Sequence, residues 1–433
     1  MIEMTAKHEQ LKALVYKGAR DKKLAITDTV LDRISFELSV IEKQGFTDYF
    51  ILYSRIIEVC NELNLLRSFG RGSAANSIVN YCLDITKINS IDENLIFERF
   101  ISPQQKQLPD IDIDIPKGHQ KNVIKKLKQK YPEYNAYFIA FSPQRETDYE
   151  VIVYNNIDYK KHPCGIIITP EKLTNSTFLY EEQEFYLALD GVNDPLYDTK
   201  IDILELEYLN RLQLIVNEIG EEYHPYRLPL NDQQVFDFFA SGNLENIFQF
   251  NVSSLKRILS QFKPNSIHDL SIINAMFRPG LLDYIPVIIR NKFNVEERFC
   301  PSDIRVSEIL KETYGYLIYQ ETFLHLSKEI SGLSFAEADV WRRKIMRDKS
   351  NTEVIAFSSV FANGCREHSS LDEVEIEALT NLITGMSRLT FQKAHSLSYS
   401  IVGYWGAFYK VHFRTHFDKA FSNDIIFQTF ELY

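Results

Sequence analysis

Residues 1–25 are polar and charged, and their spacing predicts a helical lead-in. Two further segments, TVLDRISFELSVIEKQ and DYFILYSRIIEVCNEL, carry apolar residues at helical intervals. RSFGRGSAANSIVNYCL reads as a glycine-bearing turn running into a helix of small residues, and DENLIFERF as a short helix. The period changes at LPDIDIDIP, residues 108–116, where Asp110, Asp112 and Asp114 alternate with Ile111 and Ile113. Alternation with β-branched partners predicts a strand, on which residues two apart share a face. KGHQKNVIKKLKQKYPEY predicts a strongly basic helix ending near Pro132. AYFIAF, EVIVYN, GIIIT and EFYLAL then predict strands, and TKIDIL one more, carrying Asp202. Beyond about residue 203 the pattern is mostly helical, punctuated at Pro225, Pro264, Pro279 with Gly280, and Pro301. The expected organisation is a lead-in over 1–25, a mixed α+β domain over 26–204 and a helical domain over 205–433.

A chain of 433 residues, 45% hydrophobic, has room for two or three domains with cores of their own. The N-terminus lacks the apolar stretch of a signal peptide, and no apolar run approaches the length of a membrane span. The five cysteines are scattered without a CxxC pair, which suggests neither a zinc site nor a disulfide framework and fits a reducing cytoplasm. The net charge of −11 argues against whole-surface affinity for nucleic acid but leaves room for a local basic groove.

Three carboxylates on one strand face repel one another. Either the strand is a solvated acidic edge, or it sits in a cleft with a counter-ion, for which Mg²⁺, a hard cation held by carboxylates and substrate phosphates, is the natural choice. Upstream, Gly70-Arg71-Gly72-Ser73 can form a tight anion-binding turn at a helix start, or Ser73 can serve as a plain helix cap. Asp202, between Ile201 and Ile203, is placed to project opposite them as another carboxylate. A Gly-Ser helix start, an Asp-x-Asp strand and a further aspartate on a neighbouring strand form the layout of a nucleotidyltransferase palm. In that layout the turn holds a triphosphate and two Mg²⁺ ions activate a 3′-hydroxyl and stabilise departing pyrophosphate.

The stretch FGRGSAANSIVNYCLDITKINSIDENLIFERFISPQQKQLPDIDIDIP closely resembles the palm of the bacterial C-family DNA polymerases, the DNA polymerase III alpha subunits. That family reads GRGS, a helix, FERFL, then PD-x-D-x-D. FELSVIEKQGFTDYF also resembles the family, KHPCGIIITPEKL is similar to its KHAGGVVIAP segment, and KIDIL to the strand bearing its last catalytic aspartate. NIFQFNVSSLKRILSQFKP, INAMFRPG, YGYLIYQE, DVWRRKIMRDK and FQKAHSLSYSIVGYW resemble its fingers motifs in order, so the likeness covers about residues 25–420. The resemblance implies a polymerase-beta-like palm with a mixed sheet, followed by helical fingers. It implies that Asp110, Asp112 and Asp202 are the catalytic metal ligands for two Mg²⁺ ions, with Asp114 outside the ligand set. It further implies that Gly72 and Ser73 hold the nucleotide phosphates and that Lys200, Arg342 and Arg343 neutralise the triphosphate, with Lys393 and His395 close by. The partners implied are a DNA primer-template and dNTPs.

Several features depart from the family. Its N-terminal phosphoesterase-like domain, its C-terminal hairpin, clamp-binding and OB modules, and a proofreading exonuclease are not found. The helical thumb is expected to be reduced or absent over about 130–165, because AYFIAFSPQRETDYEVIVYNNIDYKKHPCG runs almost directly from the basic helix to the KHPCG turn. Thumb, clamp or proofreading functions would then fall to a separate protein. Glu205 and Glu207 stand where the family has Gly and Arg, and Leu281 follows FRPG. In the basic helix Lys117, Lys121, Lys125 and Lys128 form one stripe, either a solvated face or a phosphate-tracking one, with Lys121, Lys125 and Lys128 as its nucleic-acid candidates. The leading expectation is a minimal DNA polymerase that is distributive and lacks proofreading. The alternatives are a template-independent nucleotidyltransferase and a non-catalytic nucleic-acid-binding or assembly subunit.

Overall fold

The computed structural model describes residues 2–103, 105, 107–141, 150–154, 157–174, 176–181, 184–189 and 194–422. The chain divides into two compact units, one formed by 1–91 with 104–213 and the other by 92–103 with 214–433.

The first unit is α+β. Its helices are α1 (Ile2–Asp21), α2 (Asp28–Lys43), α3 (Thr47–Glu62), the short α4 (Ile78–Cys82) and α5 (Gln120–Lys130). Its strands are β1 (Asp112–Pro116), β2 (Asn135–Phe141), β3 (Val151–Tyr154), β4 (Ile157–Thr169), β5 (Phe178–Glu181), β6 (Glu184–Leu189) and β7 (Ile201–Leu206). They form one mixed sheet in the order β1-β7-β4-β2-β6-β5, with β3 paired to β4. β1 runs parallel to β7, and β4 antiparallel to β7.

α2 forms because Val30, Ile34, Leu38 and Ile41 recur on one buried face behind a Thr27 cap. α1 is packed into this unit: Leu11, Val15 and Ala19 are fully buried. Gly18 lets it touch α4, since a Cβ there would lie 1.8 Å from the Cys82 carbonyl oxygen. The expected lead-in is thus a core helix. Ile139, Ile167, Leu187 and Leu189 make the apolar face of the sheet's far half. The strand around GIIIT begins earlier than expected, at Ile157, and β5 is an additional strand. Where a reduced thumb was expected, about 130–165, the described residues form the end of α5, β2, β3 and most of β4. Residues 142–149, and Asn155 at the end of the expected strand EVIVYN, lie outside the described residues.

The second unit is helical. DENLIFERF, expected as a short helix, contributes a single 3-10 turn at Phe97–Arg99 and belongs to this unit. Its core gathers Phe323, Leu326, Ile345, Phe357, Phe361, Leu379 and Ile383. The helices Phe335–Arg347 and Glu373–Met386 each start with a capping box, Ser334 with Glu337 and Asp372 with Glu375. The division falls at 213/214, inside α6 (Glu207–Ile219), rather than at 204. An α+β palm followed by helical fingers, the fold class read from the sequence, describes the two units. Among the described residues no helix is long and apolar enough to cross a membrane.

Candidate active site

Parallel pairing of β1 with β7 sets Asp112 directly opposite Asp202. The alternating Ile113, Ile201 and Ile203 are buried, which turns both aspartates to the other face. Asp110 precedes β1 and has no ladder partner there; its backbone is held from α3 instead. The Tyr49 hydroxyl donates to the Pro109 carbonyl at 2.8 Å and the Tyr53 hydroxyl to the Ile111 carbonyl at 2.5 Å. One carboxylate oxygen from each of Asp110, Asp112 and Asp202 lies within 4.8 Å of the others.

Such crowding is costly without a cation. Burial, then repulsion from Asp110, Asp202 and Asp114, pushes the Asp112 carboxyl up to about 7 despite the pull of Arg71. Burial also raises Asp110, with Asp202 adding to it. Lys200, just before β7, pairs with Asp202; burial opposes its charge, yet this contact leaves its pKa raised. Arg71 spans two carboxylates, Nε 3.5 Å from Asp112 and Nη1 3.6 Å from Asp114. Asp114 is only 2% exposed and accepts a 2.8 Å hydrogen bond from Ser68 Oγ. A solvated acidic edge is therefore not what forms: β1 ends the sheet path, but its aspartates point into a polar, partly buried cluster.

The glycine turn differs from expectation. Gly70 and Gly72 take φ of 132° and 62°, and a Cβ on Gly70 would stand 2.9 Å from the Thr86 methyl. Ser73 makes no side-chain cap bond, and the helix behind it is a 3-10 turn, Ala74–Asn76, followed by five-residue α4. The N-terminus of α4 is already occupied by fully buried Glu37. It accepts from the amides of Ile78 and Val79 at 3.1 and 3.0 Å and from the Ser77 hydroxyl at 2.6 Å. The helix end expected as a phosphate cradle is thus filled by Glu37, and the Gly70–Ser73 turn instead brings Arg71 to the aspartates.

α5 buries Val123, Ile124 and Leu127. Lys126 and Lys130 turn to α3, with Lys126 3.1 Å from Glu62 and Lys130 2.6 Å from Glu58. Lys121, Lys125 and Lys128 are exposed, whereas Lys117 sits in the turn before the helix and is no part of a helical stripe. Glu205 accepts from the Gln120 amide at 2.7 Å, a carboxylate at the positive end of α5, and the Gln120 side chain donates to the carbonyls of Cys164 and Ile203. Glu207 pairs with Arg211 at 3.1 Å.

In the second unit one buried carboxylate holds two guanidinium groups. Asp339 Oδ1 accepts from Arg342 Nε at 2.7 Å and Oδ2 from Arg343 Nε at 2.6 Å. Arg342 is 8% exposed at its side chain and Arg343 39%. Arg99 lies in the same field: burial and then Arg342 lower it to about 10, and it donates to Gln320 at 2.7 Å. Lys393 is buried and donates to Glu312 and to the Glu93 carbonyl, both at 2.9 Å. His395 packs against Tyr399 and Phe391.

Ser68, Tyr49, Tyr53 and Glu37 were not singled out from sequence, and Arg71 was named only as part of the Gly70–Ser73 turn. Tyr49 and Tyr53, four apart on an otherwise apolar helix face, were the available signal.

A family model described as the bacterial DNA polymerase III alpha NTPase domain matches residues 9–147, and one described as the bacterial DNA polymerase III alpha subunit finger domain matches 205–369. Lys200 and Asp202 lie between these two stretches. Curated relatives include proteins named DNA polymerase III subunit alpha. The one from Halalkalibacterium halodurans is 26% identical over 96% of this chain and 43% of its own length. Those from Borreliella burgdorferi and Bacillus subtilis are each 28% identical, over 97% and 95% of this chain and 42% and 43% of theirs. The chain therefore spans less than half the length of the relatives it matches. Two models matched in order, and relatives aligned over nearly every residue, place this chain in the family of the bacterial DNA polymerase III alpha subunits, the C-family DNA polymerases.

Proposed function

We propose that this chain is a DNA-directed DNA polymerase, adding deoxynucleoside monophosphates from dNTPs to a primer 3′-hydroxyl. The observation that carries this reading is the convergence of Asp112 and Asp202, on adjacent strands, with Asp110, just before the first of them, to within 4.8 Å. Three hard oxygen donors, one of them buried enough to sit near 7, fit divalent metal better than they fit one another. Asp110, Asp112 and Asp202 would hold two Mg²⁺ ions, which when bound activate the attacking hydroxyl and stabilise the leaving pyrophosphate.

The chain's own residues do the rest. Arg71 keeps Asp112 and Asp114 aligned, and Lys200 restrains Asp202. Gly72 and Ser73 present the turn to the nucleotide phosphates. Arg342 and Arg343, two cations on one carboxylate, keep a net positive charge for the triphosphate. Lys393 is engaged by Glu312 and Glu93, which supports a role in positioning the start of helix Lys393–His412, where His395 lies. Lys121, Lys125 and Lys128 would track the phosphates of the primer-template. Sheet in place of thumb helices supports a distributive enzyme, with duplex grip left to a separate protein.

The test is primer extension by purified protein with Mg²⁺ and all dNTPs, on templated and unprimed substrates side by side, with Asp110→Ala/Asp112→Ala as control. Templated extension lost in the control is expected. Template-independent tailing, or no incorporation on either substrate, would overturn the proposal.

A further inference from the structure

β4 and β7 pair antiparallel with Gly165 opposite Asp202, which sets Cys164 beside a proposed catalytic aspartate. Cys164 Sγ is 3.5 Å from Asp202 Oδ1 and 3.8 Å from His162 Nδ1. One donor atom from each of His162, Cys164 and Asp202 lies within 4.8 Å of the others. A tetrahedral ion with a sulfur ligand at about 2.3 Å and a nitrogen or oxygen ligand at about 2.0 Å sets its donors roughly 3.5 Å apart. The two spacings from sulfur lie close to that.

The donors also differ in kind from the neighbouring cluster. Asp110, Asp112 and Asp202 offer only hard oxygen, whereas sulfur, imidazole and one carboxylate select a softer, thiophilic cation. Glycine at 165 allows the ring to fold over the turn: a Cβ there would stand 2.7 Å from His162 Nδ1. Nδ1 accepts from the amides of Gly165 at 2.6 Å and Cys164 at 3.2 Å, which a cation would replace. From the far side Tyr197 Oη stands 3.5 Å from Nε2, where it can orient the ring.

We propose that His162, Cys164 and Asp202 bind a divalent cation of the Zn²⁺ class, with a fourth position open to solvent. Because Asp202 belongs to both clusters, an occupied thiolate site withdraws it from the Mg²⁺ centre and inhibits incorporation. That consequence rests on the proposed polymerase activity; the binding does not.

The probe is Co²⁺ added to the whole, reduced protein, followed by its near-ultraviolet thiolate-to-cobalt charge-transfer absorption, which all-oxygen ligation does not produce. A saturable band from a single ion, removed by excess Zn²⁺, kept in Cys300→Ser and lost in both Cys164→Ser and Asp202→Asn, is expected. No band in the parent protein, or a band that persists in Cys164→Ser, would overturn the site. No nucleotide is present, so the result stands whether or not primer extension succeeds.

Discussion

Asp112 and Asp202 face each other across the parallel β1–β7 pair, and burial, then repulsion from Asp110 and from Asp202, holds the Asp112 carboxyl near 7. An unfolded chain releases that proton near pH 4. The folded, metal-free protein therefore holds a proton that the unfolded chain has lost, and its stability falls as pH rises from about 4 through about 7. Thermal unfolding in chelator should show a lower Tm at pH 8 than at pH 5.5. Asp112→Asn should flatten this slope and stabilise the metal-free protein at pH 8 by about 0.5–2 kcal/mol. Mg²⁺ should raise the Tm of the parent protein more at pH 8 than at pH 5.5, since metal competes with the proton.

Glu37 is expected to be the costliest carboxylate in the first unit to remove. Glu37→Ala strips the α4 amides and the Ser77 hydroxyl of their acceptor and leaves Arg33, 2.7 Å away, without this partner. Chemical denaturation should show a loss of about 3–5 kcal/mol, with Glu37→Gln intermediate. A loss below about 1 kcal/mol would mean that water replaces the carboxylate at that helix start.

The two faces of α5 separate in a salt titration. DNA binding followed by fluorescence anisotropy should lose about 2–3 from its slope of log affinity against log salt in Lys121→Ala/Lys125→Ala/Lys128→Ala, close to 0.9 per phosphate contact. Lys126→Ala/Lys130→Ala, whose ammonium groups already meet Glu58 and Glu62, should leave that slope nearly unchanged.

Neighbouring arginines should fail differently. Arg342→Ala leaves Asp339, 1% exposed, with one partner fewer and a buried void, so unfolding should become easier by about 3 kcal/mol. Arg343 is far more exposed, and Arg343→Ala should cost under about 1 kcal/mol of stability. Its effect should appear in steady-state incorporation as a dNTP KM raised about tenfold or more, the worth of one charge-assisted hydrogen bond.

Local periodicity made α2, α3, α5 and the strands around Asp112 and Asp202 legible, because each buries one regular face. The meeting of Asp110 and Asp112 with Asp202 was legible only through the layout of a nucleotidyltransferase palm and the family resemblance, since no short-range pattern reveals that β1 will pair with β7. For the same reason Glu37 was invisible: its partners Ser77, Ile78 and Val79 lie some forty residues away. GRGSAAN promised a helix with a free end because small residues tolerate one, but Ser77 rather than Ser73 caps it and Glu37 fills it. β5, four residues long, is too brief for alternation to declare itself. That Lys126 and Lys130 of α5 meet carboxylates was not legible, because α3 supplies them from about sixty to seventy residues away.

The carbonyls on either side of Asp110 hang from α3 by two phenols, while Asp112 and Asp202 are fastened by the strand ladder. The proposed metal centre is therefore a joint between two parts of the fold that can come apart on different schedules. A transient undocking of α3 would leave the sheet whole and yet scatter the ligands. Bound divalent metal then acts as a bolt through that joint, and the exchange rate of the α3 amides with solvent becomes a gauge of whether the bolt is in place.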